Sequence, residues 1–131
     1  MALPASVRDL FVRPDTVKVL VTTSPEGRPH AIVCASIFAV DDSTLAVGEI
    51  LMSTSKKNME ANRNVALEVI SGKEAYEAFC EVKERQDSGP ILQTLNDKLD
   101  KVGMKARAVW LFSVKEVTNE SAGPDAGKRI A

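Results

Sequence analysis

The sequence predicts a mainly β fold, a single domain over residues 1–131 built as a six-stranded antiparallel barrel with Greek-key-like connections, one main helix and short helices. Three observations predict it. The chain is divided into short β-branched runs separated by clusters of Gly, Pro, Asp and Ser. The early connections are short, which favours antiparallel pairing. Six such strands without a long open edge close most readily into a barrel.

The elements follow in order. Ser6–Phe11 reads as a short helix ended before Pro14, within an N-terminal helical segment of residues 1–14. In Val17-Lys18-Val19-Leu20-Val21-Thr22-Thr23 three valines share one face, the mark of a strand. Ser24-Pro25-Glu26-Gly27-Arg28-Pro29 is a turn, its geometry set by Pro and Gly. His30–Val40 reads as one strand. Ile32, Cys34, Phe38 and Val40 lie on one face and Ala31, Val33, Ala35, Ile37 and Ala39 on the other, so both faces are apolar. A strand with one face in water alternates polar and apolar residues. This one therefore needs cover from a partner subunit, a helix or a ligand.

Thr44–Glu49 is a third strand, in a hairpin with the second. Thr54–Asn62 reads as a helix with Thr54 or Ser55 as N-cap. Val65–Ile70 and Ala75–Lys83 flank the turn Ser71-Gly72-Lys73. After Ser88-Gly89-Pro90, the residues Ile91, Leu92, Leu95, Leu99 and Val102 recur at helical spacing, and Gly103 is a natural stop. Ala106–Val117 is the last strand, and residues 119–131 form an irregular tail.

Composition narrows the function. A formal net charge of −1 offers no basic excess to neutralise a phosphate backbone, so nucleic acid is not an expected partner. No apolar run approaches the ~20 residues that span a bilayer. Met1-Ala2-Leu3-Pro4 does not open a secretory signal, which predicts a cytoplasmic protein with reduced thiols. Cys34 and Cys80 match no metal or redox spacing. The one histidine, His30, lies four strand residues from Cys34, roughly 13 Å at ordinary rise, too far for a Cys–His pair. Walker and G-x-G-x-x-G loops are absent.

The candidate site is the segment Ser53-Thr54-Ser55-Lys56-Lys57-Asn58-Met59-Glu60-Ala61-Asn62. Hydroxyls and two lysines stand at a helix N-terminus, where free N–H groups and the helix dipole favour an anion such as a phosphate. An ordinary solvent-facing helix start has the same spacing.

The turn Ser24–His30 between strands, then Asn58-Met59-Glu60-Ala61-Asn62-Arg63-Asn64-Val65-Ala66-Leu67, resembles the FMN-binding split barrels related to pyridoxamine 5′-phosphate oxidase. The resemblance covers the element order over roughly residues 15–118. It implies a split β-barrel, a homodimer with FMN at the subunit interface, and an oxidoreductase. It implies that Thr54, Ser55, Lys56 and Lys57, with Ser36 and Cys34, hold the flavin phosphate. Val47, Gly48 and Glu49 would then run along the ring, with Gly48 allowing close approach. Asn58 would support the phosphate loop, and Trp110 would reach the neighbouring subunit's flavin. Many members carry an Arg-Lys pair where this chain has Thr54-Ser55, and its basic residues come two positions later. The tail holds Lys128 and Arg129 but no histidine, so oxidation of vitamin B6 is not expected. No acid–base pair is evident, in keeping with a flavin that would carry the redox chemistry itself, and the sequence leaves the electron donor open between a nicotinamide cofactor and another carrier. The rival readings are a module that holds FMN, a deazaflavin or haem without turnover, and an empty barrel that mediates protein contacts.

Overall fold

The computed structural model describes residues 3–131; the first two residues of the expected N-terminal segment lie outside it. The elements are α1 (Ala5–Val12), β1 (Val17–Thr23), β2 (Pro29–Val33), β3 (Ile37–Ala39), β4 (Thr44–Glu49), α2 (Ser53–Ala61), β5 (Asn64–Ser71), β6 (Glu74–Gln86), α3 (Pro90–Asp100), β7 (Ala108–Asn119) and β8 (Lys128–Arg129). The strands form one sheet in the order β2-β1-β5-β6-β7-β4-β3, with β8 paired to β7. Every pairing is antiparallel.

This is a split barrel of eight strands rather than six, for two local reasons. The expected strand His30–Val40 is two strands. The chain breaks at residues 34–36, where Ile37 N–H donates to the Cys34 carbonyl, and it passes from one edge of the sheet to the other. β2 pairs with β1 and β3 with β4, so the two edges of the sheet are joined by three residues of chain. Periodicity does not show such a jump, because apolar residues flank it closely on both sides and a single Ser36 is the only polar residue within it. The second reason is the tail. Lys128 and Arg129 pair with Asn119 and Thr118, giving the otherwise irregular C-terminus a two-residue strand.

β1 shows why the face assignment matters. Its buried residues are Lys18, Leu20 and Thr22, while Val17, Val19 and Val21 face outward. The polar members of the inner face are satisfied: the Lys18 ammonium donates to the Arg13 carbonyl at 2.7 Å, and Thr22 Oγ1 accepts from the Asn58 amide at 3.0 Å. The strand covered on both faces is β4, all six of whose residues are buried. Leu45 and Val47 join the barrel core with Leu20, Leu67, Val69, Phe112 and Val117. Ala46 meets a second, smaller core made with Leu92 and Leu95 of α3 and Val109 and Leu111 of β7. α1 packs against β3 and β5, sending Val7, Leu10 and Phe11 into the main core. Each fully buried Leu or Phe contributes ~1.5–3 kcal/mol.

Candidate functional site

α2 organises the site through its periodicity. Residues three and four apart share a helix face. Ser53, Lys56, Lys57 and Glu60 form one face and look into a cleft of about 510 Å³, completed by Glu49, the loop 50–52 and Arg107. Ser55, Asn58 and Met59 form the buried face. Thr54 and Asn58 border a separate hollow of about 320 Å³ with Ser24 and Arg28 from the β1–β2 turn and His30 from β2.

The helix starts one residue earlier than expected, with Met52 as N-cap, and no side chain caps it. Neither Thr54 nor Ser55 takes that role, because both lie inside the first turn. The orphan N–H groups of this terminus are therefore left for water or a ligand. Ser55 is fully buried, and its hydroxyl has no hydrogen-bond partner among the described residues.

Glu49 ends β4 and is 3 % exposed. Its Oε1 accepts from Arg85 Nε at 3.0 Å and from Trp110 Nε1 at 2.9 Å, and its Oε2 accepts from the second Arg85 nitrogen at 3.0 Å. Lys56 Nζ stands 3.9 Å from Oε2. Pairing in register puts Arg85 directly opposite Trp110, and Trp110 opposite Val47. The Arg85 guanidinium, helped by the Trp110 N–H and the nearby Lys56, holds the carboxyl below its ordinary value against the opposing effect of burial. Trp110, buried within the barrel wall, thus has its indole N–H turned to Glu49 of its own chain.

The other expected site residues are spread out. Val47 is a barrel-core residue. Cys34 is buried at the β2–β3 junction, and burial pushes its thiol up to about 11. Ser36 Oγ donates to the Gly48 carbonyl at 3.3 Å and borders a third hollow, of about 220 Å³, beneath α3. The space where Gly48 would carry a side chain is filled by the protein itself: a Cβ there would lie 2.8 Å from Leu95 Cδ2 and 3.3 Å from Ala106 Cβ. The structure therefore gathers Glu49, Lys56, Lys57 and Trp110, sets Thr54 and Asn58 on the opposite flank of α2, and places Ser36 and Gly48 under α3. Arg85 and Arg107 were missed. Arg85 could be found only from the β6–β7 register, and Arg107 is an isolated arginine in the approach to β7. The helical spacing of Ser53, Lys56, Lys57 and Glu60 was the one signal available in the sequence.

The chain has the split-barrel fold of pyridoxamine 5′-phosphate oxidase-like proteins. HupZ of Group A Streptococcus superposes with a TM-score of 0.80 at 19% identity, over 95% of this chain and 99% of that one. An FMN-binding protein from Syntrophomonas wolfei superposes with a TM-score of 0.74 at 11% identity, over 82% of this chain and 78% of that one. In sequence, the chain is 27% identical over 116 residues to an uncharacterized protein of Methanocaldococcus jannaschii, covering 86% of this chain and 78% of the relative. No family model matches. No helix among the described residues is long and apolar enough to cross a membrane.

Proposed function

We propose that the chain is an FMN-binding flavoprotein of the oxidoreductase class that works as a homodimer. One observation carries the flavin reading. The uncapped N-terminus of α2 opens, with Ser53, Lys56 and Lys57, onto a cleft of about 510 Å³ whose far side carries Arg107. That volume lies in the range of small-molecule sites. Three cationic side chains and a free helix terminus suit a phosphate. The fold shared with an FMN-binding protein agrees with this reading.

In this reading Lys57, Arg107, Ser53 and the first N–H groups of α2 hold the phosphate. The apolar loop residues Ile50, Leu51 and Met52 shield the body of the ligand from water. Bound FMN supplies the redox chemistry, and the chain contributes position and hydrogen bonds. One observation favours a second reading, a carrier without turnover: Glu49, the buried carboxylate of the cleft, is already engaged by Arg85 and Trp110 and is not free to move protons.

Purified protein is expected to be yellow and to release FMN on denaturation. Lys57→Ala with Arg107→Ala should weaken FMN by roughly tenfold or more while riboflavin, which lacks the phosphate, changes little. Equal loss for both ligands, or no FMN binding at all, would count against the reading. Bleaching of bound FMN by NADH or NADPH separates an enzyme from a carrier.

The dimer is proposed from the outer face of the sheet. Val33 is 72% exposed, and it stands beside Val19, with Val17 and Phe79 also exposed on the same sheet. A second copy would cover this face. Val33→Glu should shift the mass in solution, measured by sedimentation, from dimer to monomer. A monomeric wild type at micromolar concentration would sink the proposal.

A further inference from the structure

We infer that Glu49 divides the cations of the cleft into one that is held and two that are free, and so sets which of them recognise the ligand's anionic group. The inference rests on the reading that a phosphate-bearing ligand enters this cleft. The two lysines are neighbours on one helix face and look equivalent in sequence, but their surroundings differ. Lys56 stands 3.9 Å from the carboxylate of Glu49, and Glu49 is locked in place by Arg85 and Trp110. Among the described residues no carboxylate oxygen lies within 4.0 Å of Lys57 or Arg107. Lys56 is also the more enclosed of the two, its side chain 35% exposed.

The physical argument is one of competing charges. An anion drawn to Lys56 must compete with the Glu49 carboxylate for that ammonium; the Glu49 charge is shared with Arg85, so what Glu49 withholds from the ligand is Lys56 itself. An anion drawn to Lys57 and Arg107 meets no such fixed charge within contact range, although Glu60 lies one turn further along the same helix face. Glu49 therefore makes Lys56 the least available cation of the cleft and directs a phosphate to Lys57 and Arg107. Glu49 is a positioning residue in this scheme: it acts through Lys56.

A double-mutant cycle tests this, read as the ratio of FMN to riboflavin affinity so that general damage to the site cancels. In the wild type, Lys57→Ala or Arg107→Ala should each lower the ratio about fivefold or more, and Lys56→Ala less than about twofold. Glu49→Gln alone leaves Arg85 without its counter-charge, so the cycle also uses Glu49→Gln combined with Arg85→Gln. That pair keeps an acceptor for the Trp110 N–H, and near-ultraviolet circular dichroism of the single tryptophan checks the fold. This background removes one charge of each sign and releases Lys56, so Lys56→Ala should then lower the ratio as much as Lys57→Ala does. Two results overturn the inference alone while the wild type binds FMN: equal effects of Lys56→Ala and Lys57→Ala in the wild type, or additive effects around the cycle. Absence of FMN binding by the wild type overturns the flavin reading and this inference with it.

Discussion

Replacing Gly48 with valine lowers the stability of the ligand-free chain by about 2–3 kcal/mol, the cost of forcing extra methyl groups into a filled space. The backbone at Gly48 is not in the left-handed region, so the effect comes from packing. Even the first added carbon would lie 2.8 Å from Leu95 Cδ2 and 3.3 Å from Ala106 Cβ. Leu95 can turn its methyl aside, but Ala106 has no rotamer to change. Asn96 moreover clamps Ala106 with two hydrogen bonds, of 3.0 and 2.8 Å, to its backbone. Valine at 48 therefore lifts α3 away from β4 and opens the small second core. Urea or thermal melts of ligand-free protein measure the loss. Leu95→Ala added to Gly48→Val should restore part of it, a coupling the two single variants lack. If Gly48 served only the approach of a flavin ring, Gly48→Val would melt like wild type and lose only ligand affinity.

The contrast at Gly48 shows what could be read in advance. A glycine at the end of a strand signals that something comes close, but not what. Here the close neighbour is Leu95, 47 residues later in the chain, on a helix whose docking surface no local pattern specifies. The same limit applies at His30–Val40, where a mostly apolar run, interrupted only by Ser36, hides a jump between sheet edges. It applies again in β1, where the valine stripe faces out and Lys18 and Thr22 face in. Elements set by local chemistry were legible almost to the residue: Val17–Thr23 and Thr44–Glu49 match the observed strands, and Pro90 opens α3. In the site, the lysines of α2 were legible because they share one helix face. The Glu49–Arg85–Trp110 cluster was not, because it joins three strands through a register that only the folded sheet defines.

That cluster carries the other large effect. Glu49→Ala should cost about 3 kcal/mol at neutral pH, the lower end of what is lost when one partner of a buried ion pair is removed. The lower end applies because Arg85 keeps 30% of its side chain in contact with water and can be partly rehydrated, whereas the Trp110 N–H is left buried without an acceptor. The sign of the pH dependence follows from the Arg85 guanidinium, which holds the Glu49 carboxyl below its ordinary value of 4.5 in the folded chain. The native state binds the proton less readily than the unfolded chain does. The stabilisation from Glu49 is therefore complete above the unfolded value and is lost as the pH falls through the folded one. Denaturation of wild type and Glu49→Ala at a series of pH values should show a gap that is constant from about pH 7 to pH 5 and narrows below it. Trp110 fluorescence gives a second view of the same event, since protonating Glu49 removes the charge that its indole N–H faces. A gap that stays constant down to about pH 3 would mean that the ionised carboxylate is not what holds β4, β6 and β7 together at this corner.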